Sequence, residues 1–290
     1  MNGKAELAAF LRSRRARLKP EDAGLTSYGE RRRVPGLRRE ELAQLAGVSM
    51  DYYVRFEQGR GDNVSDEVID AVAGALRLSE AERAHLHNLA RAVKQRPMAA
   101  SQRQDLRPGQ RRLLDSMTGT PAYLVGRRTD VLAWNPVYAE LIGSLATVPA
   151  RHRNTAWLVF LDEEVRSRYV NWETKARNVV AYLRMDLGRH PADPAFGALI
   201  EELSDRSEDF RRLWDGQEVA DRTHGGYHMR HPAVGEFTLA YESFQASGDP
   251  DVSLIAYTAE PGSPSEASLR LIAEQADLTA APEPTEPVST

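Results

Sequence analysis

Cysteine is absent from the 290 residues. The chain therefore cannot build a disulfide framework, a thiolate nucleophile or a cysteine-ligated zinc site, and the absence fits a reducing compartment. Aromatic residues are scarce, at 7%. Long apolar runs are missing too: no window holds the roughly eighteen uninterrupted apolar residues of a membrane span, and the opening MNGKAELAAFLRSRRARLKP has no apolar stretch of signal-peptide length. These gaps predict a soluble, cytoplasmic protein with no membrane partner. The signatures of common enzyme classes are also missing: G-x-S-x-G, G-x-x-x-x-G-K-[ST], G-x-G-x-x-G and H-E-x-x-H do not occur. His85 and His87 are two apart on a predicted helix and do not face each other. His224, His228 and His231 have metal-like spacing, but on a strand His228 and His231 point to opposite faces. Acidic runs such as Asp162-Glu163-Glu164 and Glu201-Glu202 read as solvated helix surface. The expectation is a protein that is not an enzyme and uses no metal and no cofactor.

Length suits two domains. Hydrophobic residues make up 41% and charged residues 28%, an ordinary globular composition. The net charge of −4 argues against a nucleic-acid partner, but its distribution argues for one. Residues 1–60 hold 13 Lys and Arg against 8 Asp and Glu, whereas residues 101–290 hold 20 against 28. Basic charge is gathered at one end, as a protein that meets phosphates requires.

Residues 4–18 read as an amphipathic helix with Leu7, Phe10, Leu11 and Leu18 on one stripe; Arg12, Arg14, Arg15 and Arg17 crowd its C-terminal half, where cations suit the helix dipole. Pro20 and Gly24 end it. After Arg31, Arg32 and Arg33, four short helices are predicted: 38–46, with Leu42 and Leu45 inward; 50–58, capped by Ser49; 66–76, capped by Ser65; and 80–94, opened by the Ser79/Glu82 capping box. Residues 96–109 have no periodicity and read as a linker. Beyond them, 110–118 looks helical, and 121–126 and 130–134 look like strands. Helical patterns cover 136–146, 161–187 with a break, and 194–216. Strand-like runs at 226–231, 235–244 and 252–258 precede a final helix to about 276. Residues 278–290 have the composition of a disordered tail.

Chemistry concentrates in Arg38–Gly59, RREELAQLAGVSMDYYVRFEQG. Two short helices that meet through a three-residue turn need a residue without Cβ, here Gly47, and an apolar plug, here Val48. Small residues are needed where the helices cross, here Ala43 and Ala46. Tyr53 and Phe56 then face inward, and Ser49, Met50, Asp51, Tyr52 and Arg55 face outward on the first turns of the second helix. In a helix-turn-helix those turns enter the major groove of double-stranded DNA. Arg55 suits guanine O6 and N7, Tyr52 and Met50 a thymine methyl, and Asp51 a cytosine amino group. Arg38 and Arg39, Arg31–Arg33, and Arg12–Arg17 are candidate phosphate contacts. An ordinary helical hairpin is the plain alternative, but the turn glycine, plug, small crossing residues and basic surroundings together favour DNA. A protein-interaction module whose helix-turn-helix no longer reads DNA remains the second reading, kept open by the acidic Asp51. An enzyme on the second domain is the third.

The stretch VPGLRREELAQLAGVSMDYYVRFEQGR is similar to the Xre-type helix-turn-helix of the phage-repressor superfamily. Through PAYLVGRRTDVLAWNPVYAEL, RNTAWLVFLDEEVRSRYVNWETKARNVVAYLR, FRRLWDGQEV, HPAVGEFTLAYESF and DPDVSLIAYTAEPGSPSEASLRLI, the chain resembles the MmyB-like transcriptional regulators of actinobacteria. That resemblance implies an all-α, phage-repressor-like domain over 1–95. It implies an α+β, PAS-like ligand-binding domain with an antiparallel sheet over 110–277. The implied ligand is a small molecule, acyl or otherwise apolar and fatty-acid-like. A homodimer is expected, because one short recognition helix reads too few bases. Trp134, Tyr138, Trp157, Phe160 and Trp172 are the candidate pocket aromatics, and most such residues are core rather than cavity wall. Arg153, Asn154 and His228 are the candidate anchors for a carboxylate head.

Overall fold

The computed structural model describes residues 3–25, 36–60, 64–94, 104–143, 145, 147–191, 193–220, 223–246 and 248–280. Its contacts divide the chain into two compact units: Met1–Gln102 with Val180–Asp221, and Arg103–Val179 with Arg222–Thr290.

The first unit opens with α1 (Gly3–Arg17), α2 (Arg39–Leu45), α3 (Met50–Glu57), α4 (Asp66–Ala75) and α5 (Glu80–Lys94). Local chemistry sets these bounds. Ser49 and Ser65 cap α3 and α4 by accepting from the Tyr52 and Val68 N–H groups. Ser79 and Glu82 form the reciprocal capping box of α5. Gly47 ends α2 at φ +67°; its N–H reaches Gln44 O and that of Val48 reaches Ala43 O, the paired closure of a left-handed helix end. Gly59 ends α3 in the same way at φ +64°.

Leu7, Phe10, Leu11, Leu42, Tyr53, Phe56, Ile69, Val72 and Leu86 share one apolar core, joined from far along the chain by Met185 and Val219. Leu45, expected inward, is 37% exposed. The buried side of α2 is supplied instead by Leu42, Ala43 and the adjoining Ala46. Residues 180–220 add the second half of α10 (Trp172–Arg189), α11 (Pro194–Arg206) and α12 (Glu208–Asp215) to this unit.

The second unit holds α6 (Pro108–Asp115), β1 (Ala122–Val125), β2 (Val131–Trp134), α7 (Pro136–Ile142), α8 (Thr155–Leu161), α9 (Glu163–Ser167), the first half of α10 (Trp172–Arg189), β3 (His224–His231), β4 (Gly235–Ala246), β5 (Asp249–Thr258) and α13 (Pro264–Ala280). The strands form a five-stranded antiparallel sheet in the order β2-β1-β5-β4-β3, an α+β arrangement. α8 and α9, capped by Asn154 and Asp162, precede the long α10, where the sequence suggested one interrupted helix from 161. α13 continues through Ala280, so residues 278–280 at the head of the expected tail are helical.

Both faces of the sheet are covered at β1, which is buried throughout, whereas β3 and β4 alternate buried and exposed positions. Ala122 and Leu124 point to one face with Leu114, Ala133, Val252 and Ala256. Tyr123 and Val125 point to the other, into a larger core with α7, Tyr227, Met229, Phe237, Leu239, Tyr241 and Tyr257. Among the described residues no helix is long and apolar enough to cross a membrane.

Candidate functional site

The outward side of α3 is built by its inward side. Tyr53 and Phe56 are buried at 0% and 2% exposure, and the half-buried Val48 packs on the same core. Helical spacing then leaves Ser49, Met50, Asp51 and Arg55 exposed and Tyr52 half-buried. The Arg55 guanidinium lies 5.9 Å from the ring centroid of Tyr52, which, against the expectation that it faces outward, packs partly on the core. The expected reading residues thus share one solvent-facing surface.

The expected phosphate contacts divide. Arg38 is half-exposed at the start of α2, its N–H donating to Glu41 and its guanidinium 3.5 Å from Glu40. Arg39 binds Glu57 at 2.9 Å while remaining 40% exposed. Glu57 is 1% exposed and also pairs with Arg15 at 3.2 Å, so one buried carboxylate ties α1, α2 and α3 together. The carboxylate raises the affinity of Arg39 for its proton, first by hydrogen bonding and then by charge. Burial raises the Tyr53 hydroxyl beside it. Arg14, offered as a phosphate contact, is 2% exposed and bound to Glu82 at 2.9 Å, which removes it from any ligand. Arg12 and Arg17 are exposed, and Arg17 also pairs with Glu82. Arg31, Arg32 and Arg33 lie outside the described residues.

α1 is held from behind by residues 180–220. Arg184 is fully buried; its guanidinium donates to Gln217 Oε1 at 2.9 Å, to Glu6 at 3.3 Å and to the Trp214 carbonyl, and lies 3.9 Å from the centroid of the Trp214 indole. Burial, with the Arg14 charge nearby and against the pull of Glu6, brings its pKa down to about 10. His85 is wedged between the edge of Phe10 and Gly188, where a Cβ would come within 2.5 Å of its Nδ1. Burial, with Arg184, Arg14 and Arg189 around it, pushes His85 down to about 3, so the ring is neutral.

In the second unit the candidate aromatics fall mostly on the helix-covered face of the sheet. Tyr138 belongs to that core, and Trp134, Trp157 and Trp172 border it. Trp172 donates to Val159 O and meets Phe160 edge-on at 5.7 Å. Arg153 lies over Trp134 at 5.2 Å, and both line a cleft of about 390 Å³ with Gln104, Asp105, Arg128 and Asp130. Asn154 instead holds the chain: its Oδ1 accepts from Trp157 N and Thr129 Oγ1, and its Nδ2 donates to Arg128 O and Asp130 Oδ1. His228 alternates away from the buried Tyr227 and Met229 and sits 3.3 Å from Glu236 on the opposite face of the sheet.

Sequence reasoning missed a tyrosine ladder at the centre of this face. Tyr123, Tyr257, Tyr241 and Tyr227 come from four neighbouring strands, with ring centroids 6.5, 6.2 and 5.0 Å apart along the row. Tyr138 stacks on Tyr123 at 4.4 Å, and Tyr169 meets Tyr227 edge-on at 5.5 Å. Lys175 of α10, 4% exposed, reaches into the group: Nζ is 3.4 Å from the Tyr257 hydroxyl and lies over the rings of Tyr227 and Tyr169 at 4.8 and 5.2 Å. The signal was the recurrence of tyrosine at inward-phase positions of separate strands.

Known families cover most of the chain. A helix-turn-helix domain matches residues 6–86, and the MmyB-like transcription regulator ligand binding domain matches residues 106–272. No curated protein matches the chain. A helix-turn-helix joined to a ligand-binding domain defines a ligand-regulated transcription regulator. The chain belongs to the MmyB-like transcription regulators.

Proposed function

We propose that the protein is a sequence-specific, homodimeric DNA-binding regulator, located in the cytoplasm, whose operator affinity is set by a small apolar, fatty-acid-like ligand in its PAS-like unit, and that it is not an enzyme. The observation that carries this reading is the division of α3: Tyr53 and Phe56 anchor it while Ser49, Met50, Asp51 and Arg55 stand in solvent, with Tyr52 half-covered beside Arg55. That geometry suits insertion into a major groove. Arg55 reads a guanine edge, Tyr52 and Met50 meet thymine methyls, and Asp51 accepts from a cytosine amino group or rejects the wrong register. Arg38 and the solvent-facing part of Arg39 position the backbone, with Arg31–Arg33 as further phosphate contacts. Dimerisation supplies the second half-site that one eight-residue helix lacks.

We assign residues 1–95 to DNA binding, 96–109 to a linker, 110–277 to ligand binding and 278–290 to a tail. Residues 180–220 are the exception, since they pack with the DNA-binding helices. The ligand's apolar part is assigned to the core bordered by Trp134, Trp157 and Trp172, with Tyr138 inside it and Phe160 behind Trp172. Ligand binding shifts the population between DNA-competent and incompetent states.

Gel shift against genomic fragments tests the reading. Selected fragments should compete far better than random DNA, and binding should fall steeply with salt. Negligible, salt-insensitive binding would instead favour an interaction module.

A further inference from the structure

Beside β2, the edge strand of the sheet, a cleft of about 390 Å³ opens in the second unit. That size is at the small end of ligand pockets, which run from roughly 300 to 1,000 Å³. Its walls are held in place from several sides. Arg128 and Thr129, in the turn between β1 and β2, both have left-handed backbone, at φ +57° and +65°. Side chains resist that conformation, β-branched ones most of all, and it persists only where the surroundings impose it, often at ligand sites. Asn154 imposes it here: its Nδ2 donates to Arg128 O and Asp130 Oδ1, and its Oδ1 accepts from Thr129 Oγ1. The turn so held carries Arg128 and Asp130, paired at 2.6 Å, into the lining of the cleft. Residues 104–106 are pinned beside it. Gln104 Oε1 accepts from Arg127 N at 2.6 Å and its Nε2 donates to Asp251 O at 3.2 Å, which fixes the place of the exposed Asp105. Arg153 donates through Nε to Val148 O at 3.0 Å, and its guanidinium lies 5.2 Å from the ring centroid of Trp134.

Charge decides what this cleft favours. The ionisable side chains that line it, among the described residues, are Arg128, Arg153, Asp105 and Asp130, so its formal charge is balanced. A simple anion meets two carboxylates there, and a simple cation meets two guanidinium groups. A molecule that carries both signs a few bonds apart is matched at each end. A guanidinium presents a planar fork that suits a carboxylate, and an exposed carboxylate accepts from the N–H groups of an ammonium. The rest of the lining is apolar and partly flat: Trp134, Leu106 and Leu132. An indole face and a guanidinium plane both stack on aromatic rings.

We infer that this cleft binds a small zwitterion with an aromatic side chain, an aromatic α-amino acid, with its carboxylate on Arg153, its ammonium on Asp105 and its ring against Trp134 and Leu132. The ligand differs in kind from the apolar one of the regulator reading. The cleft is also distinct from the tyrosine ladder, whose rings come from β1, β5, β4 and β3. An aromatic amine or an aromatic carboxylate of the same length gains the ring contact and only one of the two charge pairings, while the side chains of the other sign oppose it.

The test titrates L-phenylalanine, phenethylamine and 3-phenylpropanoate by calorimetry into the full chain, as wild type, Asp105→Asn and Arg153→Gln. At millimolar concentration wild type should bind L-phenylalanine, and each of the other probes, which lacks one charge, at least tenfold more weakly. Asp105→Asn should lose at least fivefold in affinity for L-phenylalanine and narrow its preference over 3-phenylpropanoate. Arg153→Gln should lose as much and narrow the preference over phenethylamine instead. Failure of wild type to bind L-phenylalanine overturns the inference. So does 3-phenylpropanoate or phenethylamine binding as tightly as L-phenylalanine, since the cleft would then select one charge alone. Arg153 also packs on Trp134, so circular dichroism checks that variant. Where it is unfolded, the exposed Asp105→Asn decides, and unchanged affinity for L-phenylalanine overturns the assignment. None of these outcomes depends on DNA, so this inference and the regulator reading fail separately.

Discussion

Arg184→Ala removes a buried guanidinium that serves three acceptors and stacks on an indole. Gln217 Oε1 and the Trp214 carbonyl lose their donor, and Glu6, 16% exposed, loses its cation. A buried neutral acceptor without a partner costs about 1–3 kcal/mol, and breaking a buried ion pair from one side costs about 3–5 kcal/mol. These values overlap rather than add, because burial has already raised the Glu6 carboxyl and protonation limits its loss. The expected destabilisation is about 3–5 kcal/mol, a large part of the roughly 5–15 kcal/mol that holds an ordinary domain together. Arg184→Lys keeps the charge but not the planar fork, so its loss should be smaller. Urea unfolding of the full chain measures the total, and hydrogen exchange locates it. Protection should fall across α1 and α12, the elements Arg184 joins. A change below about 0.5 kcal/mol, the range of an ordinary surface substitution, or unchanged protection of α1, refutes the reasoning.

Arg55→Ala should weaken binding to preferred DNA by about 1–3 kcal/mol and relax base preference, measured by competition gel shift; an unaltered footprint and affinity would remove Arg55 from the reading set. His85 gives the fold a dependence on pH, because its pKa is about 3 in the folded state against an ordinary 6.5. The unfolded chain takes up the extra proton, so this contribution is complete above pH 6.5 and is lost as pH falls toward 3, by about 1.4 kcal/mol per pH unit. His85→Leu should flatten the stability curve between pH 6 and 4 by about one proton. An unchanged slope in urea unfolding would show that the ring is not held neutral.

Features fixed by neighbours in sequence were readable in advance. Ser49, Ser65 and the Ser79/Glu82 pair mark helix starts by hydrogen bonds spanning three residues, and Gly47 marks a helix end by a backbone conformation that other residues resist. The strands were found as strand-like runs, with starts misplaced by two residues at β3 and three at β5. Features fixed by distant residues were hidden. Glu57 looks like any charged residue near a helix end until Arg15 and Arg39 converge on it. Lys175 looks like a solvated position of α10, because a helical pattern does not show that one polar side chain faces a tyrosine ladder. Arg14 seemed available to phosphate because its partner Glu82 lies 68 residues away in the chain.

The placement of residues 180–220 bears most directly on function. They lie inside the stretch matched by the ligand-binding family, 106–272, yet they pack with the helix-turn-helix. Met185 and Val219 bury apolar surface in its core, each contributing about 1.5–3 kcal/mol, and Arg184 grips α1 through Glu6. From α1, Arg15 reaches the buried Glu57 at the end of α3, and Glu57 holds Arg39 of α2. Contiguous ion pairs and packed side chains therefore run from residues 184–219 to the helix that carries Tyr52 and Arg55. A fragment cut at residue 95 keeps Tyr52 and Arg55 but loses the support beneath α1, and its α3 would rest on a core lacking Met185 and Val219. Displacement of the second half of α10 would loosen the same support in the intact chain.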